Sequence, residues 1–493
     1  MKKDIIINLI ITIGVSISLF LVNRYFAIYL GIHNLGLMKL FTQMLAYLNL
    51  AEMGLASAST YALYRPIAQK NIQHVSIVLN TITLLYNKLF IFILIVGLIL
   101  NPIIPFFVKD KAMDKMVYLY WSLYVISTAL NYTFIKYSVL FIADQKYRFV
   151  RLVEGGSRIF CQLIQIFIII KYKSFLVFIM ILIIKSLIQY IFYRLHYKKY
   201  YKYIIKTEKK DKTITKNLKD LFWHKIAGLI IHNTDLILIS KFLSLKMVGI
   251  YASYLMIIQM VVTIINIKLN VLKPRVGKFI AEHNKEEIFS YFKKLNIIFL
   301  GISILFTFCT YKLIDSFMFL WLGKEFILPK LTIVLIIVNL FIESFRSIVD
   351  IFKDGFGFFD DIQLPIAESV INFFISILLV QIIGLNGIII GTICSNIMII
   401  FIAKPIVVFK RCFYRNINEY IKMYGGYIIL LVISLFCLNI FTKPFIRTDI
   451  NTWIDWISYA ATISVITGVV LFIVFLLNKE FRNVIKVYVL KKR

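Results

Sequence analysis

Residues 5–30 read IIINLIITIGVSISLFLVNRYFAIYL, an apolar stretch that carries a single charge, Arg24. An α-helix needs about 20 apolar residues to cross the hydrocarbon core of a bilayer. The stretch therefore predicts a transmembrane helix. No small-residue cleavage site follows it, so we expect a retained helix and not a cleaved signal peptide.

Similar apolar stretches fill the rest of the chain. The sequence has 493 residues, of which 60% are hydrophobic and 16% are charged. Soluble domains are about 45–50% apolar and about 25% charged. We therefore predict an all-α polytopic membrane protein with about 14 transmembrane helices. The predicted spans lie near 5–30, 36–62, 77–101, 116–141, 150–170, 174–195, 218–242, 246–271, 291–312, 328–352, 363–383, 385–408, 421–442 and 453–477.

The positive charge of the chain follows this pattern of spans. The formal net charge is +31, and most Lys and Arg residues fall in connections on the side of the N-terminus. Cytoplasmic loops carry such an excess, so both termini are expected in the cytoplasm. The densest basic run, 194–219, is expected to lie against anionic lipid head groups. Since the charge follows the membrane topology, no nucleic-acid partner is expected.

An internal repeat predicts two halves. Residues 29–37 align with residues 242–250, and at nearly the same offset Glu154 falls on Glu368. An even number of spans per half gives parallel repeats about an axis along the membrane normal. We predict two six-helix lobes related by a pseudo-two-fold axis, followed by two extra helices. The predicted domains are 1–195 (N-terminal lobe), 196–217 (basic cytoplasmic linker), 218–408 (C-terminal lobe) and 409–493 (two helices and a basic cytoplasmic tail).

No sequence motif indicates an enzyme. The chain has no phosphate-binding glycine loop, no Gly-x-Ser-x-Gly and no metal-spaced histidine cluster. Its five cysteines are scattered without paired spacing, which argues against a disulfide framework or a metal site. We therefore expect no catalytic residue, no bound metal and no cofactor.

Charged residues inside the predicted spans are the informative feature. A charge at the bilayer centre costs about 2.5–3.5 kcal/mol even on the lenient insertion scale. The candidates for a substrate cavity are Arg24, Lys88, Asp235, Arg346, Glu52 and Glu343. Two interpretations remain open for them: internal salt bridges that fix helix packing, or the wall of a cavity for an anionic substrate. In the second case the carboxylates would adjust the charge or carry a coupling proton or sodium ion.

Other embedded charges have simpler explanations. Lys39 and Lys268 lie near span ends, where a lysine can extend to the interface. Glu154 and Arg158 are spaced i,i+4, which predicts a local ion pair. Lys185 receives no assignment. In contrast, Glu343, Arg346 and Asp350 follow an i, i+3, i+7 spacing that places them on one helix face.

Several short motifs, taken in order, resemble those of a known family. In the first half they are LGI (30–32), LGL (35–37), AEMGL (51–55) and YALYRP (61–66). In the second half they are HKIAG (224–228), NTD (233–235), ISKFL (239–243), VGIY (248–251), WLGKE (321–325), FR (345–346), GLNG (384–387) and GT (391–392). The chain resembles the bacterial polysaccharide (Wzx-type) flippases of the multidrug/oligosaccharidyl-lipid/polysaccharide (MOP) superfamily over nearly its whole length.

The resemblance implies a function and a location. It implies two six-helix lobes around a central cavity and alternating access in a bacterial inner membrane. It further implies translocation of an undecaprenyl-pyrophosphate-linked oligosaccharide for O-antigen, capsule or exopolysaccharide assembly. Membrane lipids and the polymerase and glycosyltransferases of the same pathway would be partners. By position, Arg24, Asp235 and Arg346 are the residues that the resemblance places in the cavity.

Two alternatives remain at this point. One is an ion-coupled small-molecule antiporter of the multidrug type on the same fold. The more distant one is a polytopic glycan polymerase, although the outer connections near 102–115 and 313–327 are short for a catalytic loop. An excess of embedded cationic groups favours an anionic lipid-linked sugar over a cationic drug, because guanidinium and ammonium groups bind phosphate oxygens.

Overall fold

Long apolar helices make up most of the described chain. A computed structural model describes residues 2–52, 55–109, 114–205, 207–211, 234–358, 363–447 and 449–490. Within these residues the chain is helical and contains no strand, and twelve helices are long and apolar enough to cross a membrane. The predicted all-α polytopic fold class is confirmed. The chain divides into two units, Met1–Ala252 (unit 1) and Ser253–Arg493 (unit 2).

Unit 1 is built around the first seven helices. It contains α1 (Lys2–Leu48), α2 (Leu55–Ala68), α3 (Ile72–Ile99), α4 (Met116–Tyr132), α5 (Ile135–Ala143), α6 (Tyr147–Tyr172), α7 (Phe175–Tyr200), the short α8 (Asp235–Phe242) and the first turns of α9 (Leu245–Glu282). Two 3₁₀ segments, Asn49–Glu52 and Asn101–Phe107, end α1 and follow α3.

Polar contacts hold α1 against α6. The Ser18 hydroxyl donates to Gln162 Oε1 at 2.6 Å in the buried interface, and Arg151 Nε donates to Asn8 Oδ1 at 2.8 Å. Between transmembrane helices, close packing and hydrogen bonds replace the hydrophobic effect as the source of association. Such contacts therefore fix how the apolar helices pair.

A kink in α1 explains the predicted break between the first two spans. Gly31 has φ 83° and ψ 161°, a left-handed backbone conformation inside an otherwise continuous helix. Glycine adopts positive φ without a steric penalty. The spans predicted at 5–30 and 36–62 thus begin in one long, kinked helix. Most of the span predicted at 218–242 lies outside the described residues, and α8 is its described end. These two facts reconcile twelve observed helices with about 14 predicted spans.

Two segments matched by the repeat meet in unit 1. A Cβ on Gly36 of α1 would lie 1.8 Å from the Leu245 carbonyl oxygen, and a Cβ on Gly249 of α9 would lie 2.7 Å from the Ile32 carbonyl oxygen. Small residues let transmembrane helices approach backbone to backbone. The two aligned glycines are therefore what permits this crossing.

Unit 2 contains the remaining helices. They are the rest of α9, α10 (Lys285–Leu322), α11 (Lys330–Gly355), α12 (Gln363–Ile383), α13 (Leu385–Asn396), α14 (Lys404–Val408), α15 (Ile417–Thr442), α16 (Trp453–Phe475) and α17 (Lys479–Leu490). Two π-helical segments, Ile397–Ala403 and Phe409–Phe413, flank α14. Aromatic side chains fill much of the interior. For example, the rings of Phe292 and Phe413 lie 4.7 Å apart.

The helices α9 and α10 are longer than predicted. The sequence placed spans at 246–271 and 291–312, whereas each helix has 38 residues. Hydropathy detects only the apolar part of a helix, and both helices continue through charged turns beyond it. A capping box starts α10, because Asn284 Oδ1 accepts from the Glu287 amide while the Glu287 carboxylate accepts from the Asn284 amide.

Candidate substrate cavity

A polar cavity of about 180 Å³ lies in unit 2, between α9 and α11. The residues of α11 that line it include Glu343, Ser344, Arg346, Ser347 and Asp350. From α9 come Asn266, Asn270 and Lys273, together with apolar residues. The i, i+3, i+7 spacing thus places three charged side chains of one helix on the same cavity wall. Acidic, basic and amide groups meet there inside otherwise apolar helices.

An ion-pair network extends from this wall to α12 and α14. Asp350 Oδ1 lies 2.6 Å from Lys404 Nζ, and Asp350 Oδ2 lies 3.9 Å from Arg346 Nε. Arg346 Nη1 also lies 3.9 Å from the buried Glu368 carboxylate. The longer distances leave Arg346 loosely held by its carboxylate neighbours. Its guanidinium is therefore available to the cavity as well as to the network.

Lys404 is a residue that the sequence did not point to. It lies near the end of the span predicted at 385–408, where a lysine would ordinarily reach the interface. In the structure its side chain is only 12% exposed. Two π-helical segments flank the short helix α14 that Lys404 begins, and π-helical turns are rare and often occur at functional sites. Hydropathy contains no signal for them.

The candidates in unit 1 lie on four different elements. Arg24 is half-buried on α1, and Lys88 is exposed on α3. Glu52 belongs to the 3₁₀ segment after α1, and Asp235 begins α8. Of the six predicted cavity residues, the structure brings Glu343 and Arg346 to one cavity.

Glu52 and Asp235 both lie among tyrosines. The Tyr132 hydroxyl donates to Asn49 Oδ1 at 2.9 Å and also contacts the Glu52 carboxylate. Asp235 interacts electrostatically with Tyr47 and Tyr251. Each of these carboxylates thus has tyrosine neighbours within unit 1.

The predicted local pair of Glu154 with Arg158 is not formed between these two described residues. Instead, the Tyr193 hydroxyl of α7 donates to Glu154 Oε1 at 3.2 Å. Arg158 is exposed on α6 and lies near Lys185 of α7, so two cations are neighbours. A contact to the neighbouring helix has replaced the i,i+4 contact, which sequence spacing cannot predict.

The two lysines expected to reach the interface differ in what the structure describes. Lys39 is half-buried on α1. The Lys268 side chain lies outside the described part of the chain. Among the described residues, no group of three or more His, Cys, Asp or Glu side chains is placed to hold a metal ion.

Comparison with solved structures shows which fold this is. The chain is similar to a lipid II flippase MurJ in an inward closed conformation, with a TM-score of 0.67 and 13% identity over 97% of this chain and 100% of that one. It is also similar to an inward-facing multidrug resistance MATE family transporter of the MOP superfamily, with a TM-score of 0.65 and 15% identity over 81% and 96% of the two chains. The chain shares the fold of these transporters.

A third structure agrees with this fold. A mutant of the Vibrio cholerae MATE transporter VcmN gives a TM-score of 0.53 with 16% identity over 84% of this chain and 98% of that one. No protein-family model matches the sequence, and no curated protein matches it. At these identities the likeness to the three solved structures concerns the fold, and the chemistry must come from the residues of this chain.

Proposed function

We propose that the protein is a flippase that moves an undecaprenyl-pyrophosphate-linked oligosaccharide repeat unit across the inner membrane by alternating access. The glycan would serve O-antigen, capsule or exopolysaccharide assembly. The observation that carries the proposal is the mixed-charge cavity around Arg346 and Glu343. It lies in a chain whose fold is that of transporters.

The cavity chemistry suits a pyrophosphate. Arg346 offers a planar fork of donors that matches phosphate oxygens, and Lys273 adds a point charge on the opposite helix. Glu343 and Asp350 balance the two positive charges, so that an anion would be held by direct contacts to Arg346 and Lys273 and could also leave. An intramembrane charge that faced lipid would cost several kcal/mol, and a polar cavity avoids that cost.

Coupling and location complete the proposal. A carboxylate such as Glu343 would carry a proton or sodium ion if the cycle uses an ion gradient. We place both termini in the cytoplasm of a bacterial cell, as the charge distribution predicts. Arg24, Lys88, Glu52 and Asp235 would contribute to substrate binding from unit 1. Enzymes and polymerases of the same glycan pathway would supply and consume the lipid-linked unit.

The test is a deletion strain complemented with variants. Deletion should leave the lipid-linked oligosaccharide accessible only from the inner leaflet. Arg346→Gln should fail to restore export, with a loss of about tenfold or more, since hydrogen bonds to charged groups contribute about 1.5–3 kcal/mol. Arg346→Lys should restore export in part. Arg24→Gln should behave like Arg346→Gln.

Controls separate transport from folding. Arg482→Gln, at an exposed position of α17, should export normally. Immunoblots should show Arg346→Gln at wild-type abundance in the membrane. Degradation of that variant would instead assign Arg346 to packing. Absence of the lipid-linked oligosaccharide from both leaflets of the deletion strain would refute the flippase function.

An ion-coupled small-molecule antiporter is the second candidate. The likeness to the multidrug resistance MATE transporter, with a TM-score of 0.65, favours it. Reconstituted protein that moved cationic drugs against a gradient would support this candidate, whereas movement of a lipid-linked sugar without drug transport would support the flippase.

A further inference from the structure

Unit 1 contains a cavity that is larger than the one around Arg346 and that has no role in the function proposed above. Its volume is about 610 Å³, and it lies between α3, α5, α7 and the chain that follows α7. Its lining residues are Ser76, Leu79, Asn80, Thr83, Lys136, Tyr137, Tyr197, Ile204, Ile205, Thr207 and Glu208. Its wall is largely apolar and also carries hydroxyl, amide and aromatic groups and two charged side chains.

The chain after α7 forms one wall of this cavity. We call residues 201–205 and 207–211 the strap. The Ile205 amide donates to Ser76 Oγ at 3.1 Å, and the Asp211 amide donates to Thr81 Oγ1 at 2.8 Å. Asn80 Nδ2 in turn donates to the Lys209 carbonyl at 3.0 Å. Side chains in the first turns of α3 thus bind the strap along its length.

The start of the strap is fixed separately. The Tyr201 hydroxyl donates to Asp144 Oδ2 at 2.6 Å, and Lys146 Nζ lies 3.2 Å from the same carboxylate. Burial and the Asp144 carboxylate raise the pKa of Tyr201, so its hydroxyl keeps its proton and remains a donor. The strap is therefore held at its start as well as along α3, and it forms one side of a cavity that is open to its surroundings.

Lys136 is the charged group on the helical wall. Its ammonium lies 5.2 Å from the centre of the Tyr137 ring. Glu208 of the strap lines the same cavity, so that the described wall carries one positive and one negative side chain. A partly buried ammonium needs an anionic partner to offset its desolvation. An anionic ligand in the cavity would supply that partner.

Two tyrosines give the cavity an aromatic surface. The rings of Tyr137 and Tyr197 lie 4.9 Å apart at an angle of 45°. Aromatic rings combine a large apolar face with a polar hydroxyl. Asn80 uses its amide nitrogen on the strap, so its side-chain oxygen can accept from a ligand hydroxyl. Ring faces, hydroxyl groups and an amide oxygen are what a sugar needs.

We propose that this cavity binds a saccharide that carries a carboxylate or a phosphate, with Lys136 on the anionic group and the tyrosines on the sugar. The inference rests on the proposed function, because it takes the sugar to be part of the translocated lipid-linked unit. It goes further by assigning an acidic or phosphorylated sugar as the ligand and unit 1 as the place where it binds.

The test is calorimetry on the full-length purified protein. Galacturonate should bind at least about tenfold more tightly than galactose, and glucose 1-phosphate at least about tenfold more tightly than glucose. Each charged sugar makes a charge-assisted contact that its neutral counterpart lacks. Lys136→Met should remove this difference. The matched control is Lys198→Met, which changes an exposed lysine of α7 outside the cavity, and it should bind like wild type. Equal binding of acidic and neutral sugars, or unchanged binding by Lys136→Met, would overturn the proposal.

Two further measurements complete the binding test. If Lys136→Met does not fold, Tyr197→Phe serves instead, and it should weaken binding of the acidic sugars several-fold with a wild-type melting temperature. Unchanged binding by that variant would count against the site. Repeating the titration in phosphatidylglycerol and phosphatidylcholine nanodiscs distinguishes a lipid head group from a sugar. Loss of sugar binding in phosphatidylglycerol alone would assign the cavity to lipid and overturn the proposal.

The experiments distinguish a wrong saccharide site in unit 1 from a wrong flippase function. Export that survives Lys136→Met, together with no sugar binding by the wild type, would reject the site and keep the flippase. Sugar binding by the wild type, together with normal export in a deletion strain, would keep the site and reject the flippase.

Discussion

At the scale of single residues, Asp350 and Lys404 form a partly buried ion pair in which each charge compensates the other. Removing one partner of a buried pair leaves the other charge uncompensated, which costs about 3–5 kcal/mol for fully buried pairs. The Asp350 side chain is 30% exposed. A smaller cost of about 1–3 kcal/mol is therefore expected for Lys404→Met.

Thermal unfolding of the purified protein checks this prediction. Lys404→Met should lower the melting temperature, and the double variant Asp350→Asn with Lys404→Met should recover part of the loss. Lys410→Met, at an exposed position, is the matched control and should melt like wild type. A double variant less stable than both single variants would show that the pair does not act as a unit.

Residue spacing predicted one wall of the candidate cavity and missed the other. Glu343, Arg346 and Asp350 share a face because helical periodicity alone decides it. Lys404 and Lys273 could not be assigned to the same neighbourhood, since their positions depend on how separate helices pack. In the same way, Glu154 binds Tyr193 on another helix. Contacts within a helix follow from spacing, whereas contacts between helices do not.

At the scale of elements, the crossing of α1 and α9 depends on Gly36. A Cβ at this position would lie 1.8 Å from the Leu245 carbonyl oxygen, a distance that real Cβ atoms do not show. Gly36→Ala should therefore force the helices apart. We expect destabilisation of about 1–3 kcal/mol, the usual cost of overpacking.

A melting experiment with a matched glycine tests this crossing. Gly156→Ala, on α6, adds a Cβ that meets no atom within 4 Å, so it should leave the melting temperature unchanged or slightly raised. Gly36→Ala should melt several degrees lower. Equal melting temperatures for the two variants would mean that the backbones do not meet as closely as described.

The lengths of elements were harder to predict than their existence. The apolar parts of α9 and α10 were placed correctly, but α9 continues through charged turns to Glu282 and α10 already begins after the capping residue Asn284. The Gly31 kink fell where the sequence broke the first two spans. The strap had no signal beyond its basic composition, because its structure comes from hydroxyl groups on α3.

At the scale of the whole molecule, the charge distribution predicts a topology. With both termini in the cytoplasm, the connection between α9 and α10 lies on the cytoplasmic side and the connection between α15 and α16 on the outer side. Lys278 and Arg447 are exposed positions near these two connections.

Cysteine labelling tests the topology. In a variant without the five native cysteines, Arg447→Cys should react with a membrane-impermeant maleimide in intact cells. Lys278→Cys should react only after permeabilisation. The opposite pattern would invert the assignment, and the positive-inside interpretation would then be wrong for this chain.

The fold class was predictable from the whole sequence because the bilayer restricts the choice of structure. Backbone groups in lipid must be satisfied within helices or closed barrels, so long apolar stretches predict a helical bundle directly. The chemistry was less predictable, since the six candidate residues are distributed over five elements. Their roles stay predictions until the variants are measured.

The π-helical segments around Lys404 have a consequence for how this region tolerates insertions and deletions. Each residue of an α-helix turns the chain by about 100°. Deleting one residue from Ile397–Ala403 would rotate Lys404 away from Asp350, although both residues would still be present in the sequence. Substitutions in this segment should therefore be accepted more readily than one-residue deletions. An alignment with a relative whose helix is regular here would need a gap to keep Lys404 in phase with its counterpart.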